Sequence, residues 1–122
     1  MEFQTQAAIW LQIAWQIANR IIAGEWPPGE RIPSVRELAA EVQVNPNTVV
    51  RSVTFLNEEG IIINQRGIGY FVANDGPEKA RQLRKKAFQT EMLPGLFQTM
   101  QQLDISWEEL HLMYQQFQDK KS

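Results

Sequence analysis

Two helical patterns near the middle of the chain are separated by only four residues, 43–46, and this spacing restricts the possible folds more than any other feature. The first pattern begins at Ser34, which forms an S-x-x-E capping box with Glu37. The second begins at Asn45, a good N-cap residue, and Pro46, which suits the first helical position. Apolar residues recur at helical spacing through both segments until Gly60. Two helices joined by so short a turn predict a helix-turn-helix.

The flanking segments extend this pattern on both sides. Residues 7–23 carry isoleucine at every fourth position from Ile9 to Ile21, which predicts an amphipathic helix. The short apolar runs 61–64 and 69–72 predict the two strands of a hairpin. Helix, helix, turn, helix and hairpin is the order of a winged helix-turn-helix. We therefore predict an α+β, mainly helical fold with a winged helix-turn-helix DNA-binding domain at residues 1–75.

The remaining segment, residues 76–122, predicts a short helical region. A polar stretch at 73–78 marks the boundary before it. Pro94 predicts a kink or a break near residues 92–93, and Ser106 begins a final helix with a second capping-box pattern.

Two amphipathic helices of this size cannot bury their apolar faces as an isolated pair, so we expect this region to form a homodimer. The predicted dimer interface consists of Leu83, Leu93, Leu96, Phe97, Met100, Leu103, Trp107, Leu110 and Tyr114.

Composition excludes several classes of function. The chain has 122 residues and no cysteine, so a disulfide scaffold, a thiolate metal site and a cysteine nucleophile are ruled out. His111 is the only histidine, and no acidic cluster accompanies it at metal-ligand spacing. We therefore expect no enzyme activity, no metal and no cofactor. No apolar run approaches the length of a membrane span and no basic leader precedes the first helix, so we expect no membrane association and a cytoplasmic location.

Four sequence motifs, in this order and spacing, resemble the GntR family of bacterial transcription regulators. They are RIPSVRELA at 31–39, VNPNTVVR at 44–51, the EG pair at 59–60 and RGIGYFV at 66–72. The NPNTV form and the short tail resemble the YtrA subfamily. The resemblance covers about residues 8–73. It implies a repressor that binds a palindromic operator as a homodimer and controls genes of ABC-type transporters.

The residue types at these motifs fit contacts with duplex DNA. A recognition helix presents its first turns to the major groove, where asparagine can pair with adenine and arginine with guanine or phosphate. The start of the preceding helix, with its dipole and a cation, suits a phosphate. At the hairpin tip, glycine permits close approach and arginine can enter the minor groove. The predicted DNA-binding residues are Ser34, Arg36, Asn45, Asn47, Thr48, Arg51, Arg66 and Gly67.

The charge distribution of the N-terminal domain argues against strong DNA binding. Residues 1–75 carry five arginines and eight acidic side chains, a net charge of −3. Pro46 and Val50 stand where many GntR members have basic residues. We therefore expect few phosphate contacts and a weak salt dependence. An alternative function is a winged-helix module for protein–protein contact with little affinity for DNA. The sequence leaves open whether a small-molecule effector exists, and it assigns no role to Trp15.

Overall fold

The computed structural model describes residues 8–121. Its elements are α1 (Ile9–Ile22), α2 (Val35–Val42), α3 (Pro46–Glu58), β1 (Ile62–Gln65), β2 (Gly69–Val72), α4 (Gly76–Ala87), a π-helical turn (Phe88–Met92), α5 (Leu93–Gln102) and α6 (Trp107–Lys121). This order confirms the predicted mainly helical, winged helix-turn-helix fold. The described residues form two compact units, 8–87 and 88–121.

The core of the first unit is formed by the apolar faces of the helices and the base of the hairpin. Ile13, Ile17 and Ile21 lie on the inner face of α1, and Val49 and Val53 of α3 belong to the same core cluster. Fully or almost fully buried side chains in this core are Ile17, Ile21, Ile32, Val49, Val53, Leu56, Ile61 and Ile62. Burial of one such side chain is worth about 1.5–3 kcal/mol, so the core fixes how the three helices pack.

The turn between α2 and α3 is compact because Gln43 adopts a left-handed conformation, with φ of 57°. The amide of Val44 then donates to the Ala39 carbonyl at 3.1 Å, which closes the end of α2. This backbone reversal places the start of α3 beside α2.

The hairpin, residues 62–72, is called the wing below. Its strands pair antiparallel from Ile62 with Val72 to Gln65 with Gly69. Strand β1 begins one residue later than predicted, because Ile61 is still bonded to the end of α3 through the Leu56 carbonyl.

Helix α4 belongs to the first unit, although the predicted domain boundary lies between residues 75 and 76. Ala80 is fully buried and Leu83 packs against the core cluster, where α4 lies along α1. Gly76 is needed at the start of α4, because a Cβ there would lie 2.6 Å from the Ile61 carbonyl oxygen. The compact units therefore divide after Ala87, and a division of function at residue 75 stays a prediction.

The second unit contains the predicted interruption before Pro94. The π-helical turn ends at Met92 and α5 begins at Leu93, with the proline in its first turn, where its missing N–H costs nothing. At the start of the next helix, the Ser106 hydroxyl accepts a hydrogen bond from the Glu109 amide at 3.1 Å. Among the helices of residues 8–121, none is long and apolar enough to cross a membrane.

Candidate nucleic-acid interface

The first turns of α3 present polar side chains to solvent, while the opposite face of the helix is held in the core. Val49 is fully buried, Thr48 is half-buried, and Asn47 and Arg51 are exposed. The side-chain oxygen of Asn45 accepts a hydrogen bond from the Asn47 amide at 2.8 Å and so caps the helix. The NH2 group of Asn45 therefore stays available for a contact with DNA.

Contacts between α3 and α1 fix the orientation of α3 and the position of Arg51. The Ser52 hydroxyl donates to the Trp10 carbonyl at 2.6 Å. The ring of Phe55 packs edge-on against the Trp10 indole at 5.4 Å between centroids. On the same indole, the guanidinium of Arg51 lies 4.6 Å from the ring centroid. Arg51 is thus exposed and yet held in place by a cation–π contact.

The start of α2 is stabilised by the predicted capping box. The Ser34 hydroxyl accepts from the Glu37 amide at 3.1 Å, and the Ser34 amide donates to the Glu37 carboxylate at 2.9 Å. Hydrogen bonds from the backbone and then the side chain of Ser34 lower the pKa of Glu37. The Ser34 amide is therefore already bonded, and a phosphate here would share the Ser34 hydroxyl with the Glu37 carboxylate. Arg36 is exposed beside it.

The wing ends in a tight turn whose geometry depends on glycine. The Ile68 amide donates to the Gln65 carbonyl at 2.9 Å, and Gly67 has φ of 77° at the third position of this turn. A Cβ at Gly67 would meet nothing within 4 Å, so the space around the tip is open, and Arg66 is exposed there. The Asn64 amide donates to the Asn57 side chain at 3.2 Å, which ties the wing to α3.

Most ion pairs of the first unit lie away from the predicted DNA-binding arginines. Arg20 bonds to both Glu25 and Glu41, at 3.0 and 2.7 Å, and the hydrogen bond to Glu25 is the main cause that raises the pKa of Arg20. Lys79 pairs with Asp75 at 3.4 Å.

By contrast, the arginines of the predicted DNA-binding face lack acidic partners. Within residues 8–121, no carboxylate lies within ion-pairing distance of Arg36, Arg51 or Arg66. A negative net charge in this region is thus compatible with a basic surface at α2, α3 and the wing.

Two residues at this surface were missed by the sequence analysis. Trp10 has no place among the predicted DNA-binding residues, but it is half-buried and supports Arg51. Arg31 was noted only as part of a motif, but it pairs with Phe71 of the wing in an isolated β-bridge. The pairing of Arg31 with the wing joins segments forty residues apart, so no local sequence pattern indicates it.

The predicted dimer-interface residues fall into three groups. Leu83 packs against the core of the first unit, and Met100 is buried within the chain. Half-buried residues are Leu93, Leu96 and Leu110, and exposed residues are Phe97, Leu103, Trp107 and Tyr114. On α5 and α6 the side chains of Leu96, Trp107, Leu110, Met113, Tyr114 and Phe117 line an apolar groove of about 530 Å³.

Comparisons with known proteins identify the family. The model of the family "Bacterial regulatory proteins, gntR family" matches residues 10–72. The chain is 38% identical over 109 residues to the HTH-type transcriptional regulator YhcF of Bacillus subtilis, which covers 89% of this chain and 88% of the relative. It is 38% identical over 72 residues to the HTH-type transcriptional repressor YtrA of the same organism, covering 59% of this chain and 55% of YtrA.

A solved structure agrees with these sequence matches. A transcriptional regulator of the GntR family from Bacteroides thetaiotaomicron superposes with a TM-score of 0.76 and 40% sequence identity, covering 94% of this chain and all of that chain. These matches show that the chain is a DNA-binding transcription regulator of the GntR family, similar to its YtrA-like branch.

Proposed function

We propose that this regulator is a cytoplasmic repressor that binds a palindromic operator as a homodimer, with α5 and α6 forming the dimer contact. The observation that carries the proposal is the apolar surface that these helices leave exposed. Trp107 is 65% exposed, Phe117 59% and Tyr114 56%. Clustered aromatic side chains that are exposed in the single chain favour association with another surface.

A second copy of the chain is the occupant that this surface suits best. A two-fold dimer buries the same patch on both partners, so each exposed aromatic residue contributes twice. The proposed interface keeps seven of the predicted residues and omits Leu83 and Met100, whose contacts are made within the chain. The seven are Leu93, Leu96, Phe97, Leu103, Trp107, Leu110 and Tyr114.

The DNA contacts are proposed for three elements: α3, the start of α2 and the wing tip. Asn47, Thr48 and Arg51 of α3 enter the major groove, with the Asn45 amide beside them. Ser34 and Arg36 bind a backbone phosphate at the start of α2. At the wing tip, Arg66 enters the minor groove, and Gly67 permits the close approach of the backbone.

The repressor assignment follows the likeness to the repressor YtrA, and control of ABC-transporter genes follows the resemblance to its subfamily. The alternative function, a protein–protein module, would leave several unpaired arginines without a role. Because Arg36, Arg51 and Arg66 are exposed and have no acidic partner within residues 8–121, DNA is the better ligand.

The experiment is a binding titration with duplex fragments that tile the upstream region of the protein's own gene, at about 50 mM salt. We expect one fragment to bind tightly, and footprinting of it to show two half-sites related by two-fold symmetry. Sedimentation should give a dimer in the absence of DNA. The proposal is wrong if the protein is monomeric on DNA, or if the protected site is a single half-site.

A further inference from the structure

The backbone around Arg31 is joined to the wing by an isolated β-bridge. Arg31 bridges Phe71 in antiparallel fashion, and the Ile32 amide donates to the Tyr70 carbonyl at 3.0 Å. One step further back, the Val72 amide donates to the Glu30 carbonyl at 2.9 Å. Residues 30–32 therefore hold the outer edge of β2, and the backbone position of Arg31 is fixed by the sheet.

The side chain of Arg31 extends along β2 toward the wing tip. A Cβ built on Gly69 would lie 2.6 Å from the Nε atom of Arg31 and 3.2 Å from its Cζ atom. The guanidinium thus crosses the strand where glycine leaves space for it. Gly69 also has φ of 148°, a conformation that side-chain-bearing residues rarely adopt. Both properties favour glycine at this position, and the Arg31 side chain occupies the space that a Cβ would need.

The charge of Arg31 is available for a ligand. The residue is exposed, and in the part of the chain that the structure describes no carboxylate lies within ion-pairing distance of it. The charge of Arg31 contributes to the lowered pKa of Glu37, but the Glu37 carboxylate already accepts a hydrogen bond from the Ser34 amide. Three residues along the chain from Arg31, Ser34 starts α2, so Arg31 lies between two elements that are proposed to contact DNA.

We propose that Arg31 binds a backbone phosphate of the operator. Because Gly69 has no side chain, the guanidinium of Arg31 can lie across β2 in the position that this contact needs. The inference rests on the proposed DNA-binding surface. An arginine has five N–H donors in a planar fork that matches phosphate geometry. Because a phosphate contact carries no sequence information, Arg31 strengthens binding to every duplex alike. It adds a basic residue to a surface that lacks one at Pro46 and Val50.

The test measures how the affinity of the full-length protein for an unrelated duplex depends on salt, between about 50 and 200 mM. Each phosphate contact contributes about 0.9 to the slope of log K against log salt. We expect Arg31→Ala to reduce the slope by about 0.9 for each protomer bound. Arg31→Lys should keep the slope, because the charge is retained. Gly69→Ala should weaken binding, and adding it to Arg31→Ala should cause less further loss than it causes alone.

Arg20→Ala is the matched control, because it removes the same charge from an arginine that is already paired with Glu25 and Glu41. Its slope should equal that of the wild type. The inference is overturned if Arg31→Ala keeps the wild-type slope and lowers only the unfolding temperature, since Arg31 would then be a structural tether of the wing. A wild-type protein that binds no duplex at all would overturn the DNA-binding surface as well.

Discussion

At the scale of single residues, tryptophan rings of α1 hold two arginines of the first unit in place. Arg51 lies over Trp10 and Arg84 lies over Trp15, at 4.6 and 4.9 Å from the ring centroids. Both indoles also pack edge-on against Phe55. An arginine that is fixed before DNA arrives loses less side-chain entropy on binding than one that moves freely. Trp10 is therefore expected to act on DNA affinity through Arg51.

Trp10→Leu should weaken operator binding by about 2- to 5-fold, since an exposed cation–π contact is worth about 0.5–1 kcal/mol. The salt slope should not change, because Arg51 keeps its charge. Fluorescence anisotropy measures both quantities. Trp15→Leu is the control: it removes a similar contact with Phe55 but leaves Arg51 on Trp10. Equal affinity losses in the two variants would mean that packing alone, and no positioning of Arg51, explains the effect.

The sequence could identify the polar residues of the site but not their supports. Asn47 and Arg51 follow a helix start, so their exposure could be predicted from helical periodicity, and Thr48, between them, is half-buried. The partners of Trp15 could not be predicted, because Trp15 falls on the polar side of α1 and its contacts come from α3 and α4. Contacts between distant segments depend on side-chain rotamers, which no local pattern specifies.

At the scale of elements, the turn between α2 and α3 contains a strained residue. Gln43 has a left-handed backbone conformation, which costs a residue with a side chain roughly 1–2 kcal/mol. Gln43→Gly should therefore stabilise the protein by about 0.5–1 kcal/mol, after allowance for the greater freedom of glycine in the unfolded chain. Thermal unfolding measures this difference.

Gln16→Gly, on the exposed face of α1, is the matched control for this turn. The same substitution in a helix interior should lower stability by about 1 kcal/mol. If both variants lose stability equally, the left-handed conformation at Gln43 carries no strain.

The capping box of α2 should make stability depend on pH. The pKa of Glu37 is lower in the folded chain than in the unfolded chain, so folding favours the ionised carboxylate. Its contribution is fully present above the ordinary glutamate pKa of about 4.3 and is lost as the pH falls through the folded value. Urea unfolding of the wild type and Glu37→Gln should show a stability difference near neutral pH that disappears in acid. A constant difference over the whole range would contradict this origin.

Helices and strands were easier to predict than their partners. The capping boxes, Pro46 and Pro94 indicated where helices begin, because these residues act through local backbone geometry. The partner of α4 was not predicted, since two of its buried residues, Gly76 and Ala80, are small and carry little hydrophobic signal.

At the scale of the whole molecule, the two compact units suggest separate tasks. Residues 8–87 contain every residue proposed to contact DNA, and residues 88–121 contain the exposed apolar surface of α5 and α6. The position of α4 decides where the chain can be divided. Because Ala80 is fully buried and Leu83 packs on the core, a chain that ends before α4 leaves apolar surface of α1 exposed.

A chain that ends after Ala87 should therefore fold, remain monomeric and bind operator DNA much more weakly than the full-length dimer. A chain that ends after Asp75 should lose stability by at least about 2 kcal/mol, because it also loses the packing of Ala80 and Leu83. Circular dichroism melting and sedimentation of the two truncated chains measure these outcomes. Equal melting temperatures would place α4 with the dimer region, as the sequence alone predicted. If the chain ending at Ala87 is still dimeric, the dimer interface lies in the first unit, and the aromatic surface of α5 and α6 would then need another partner.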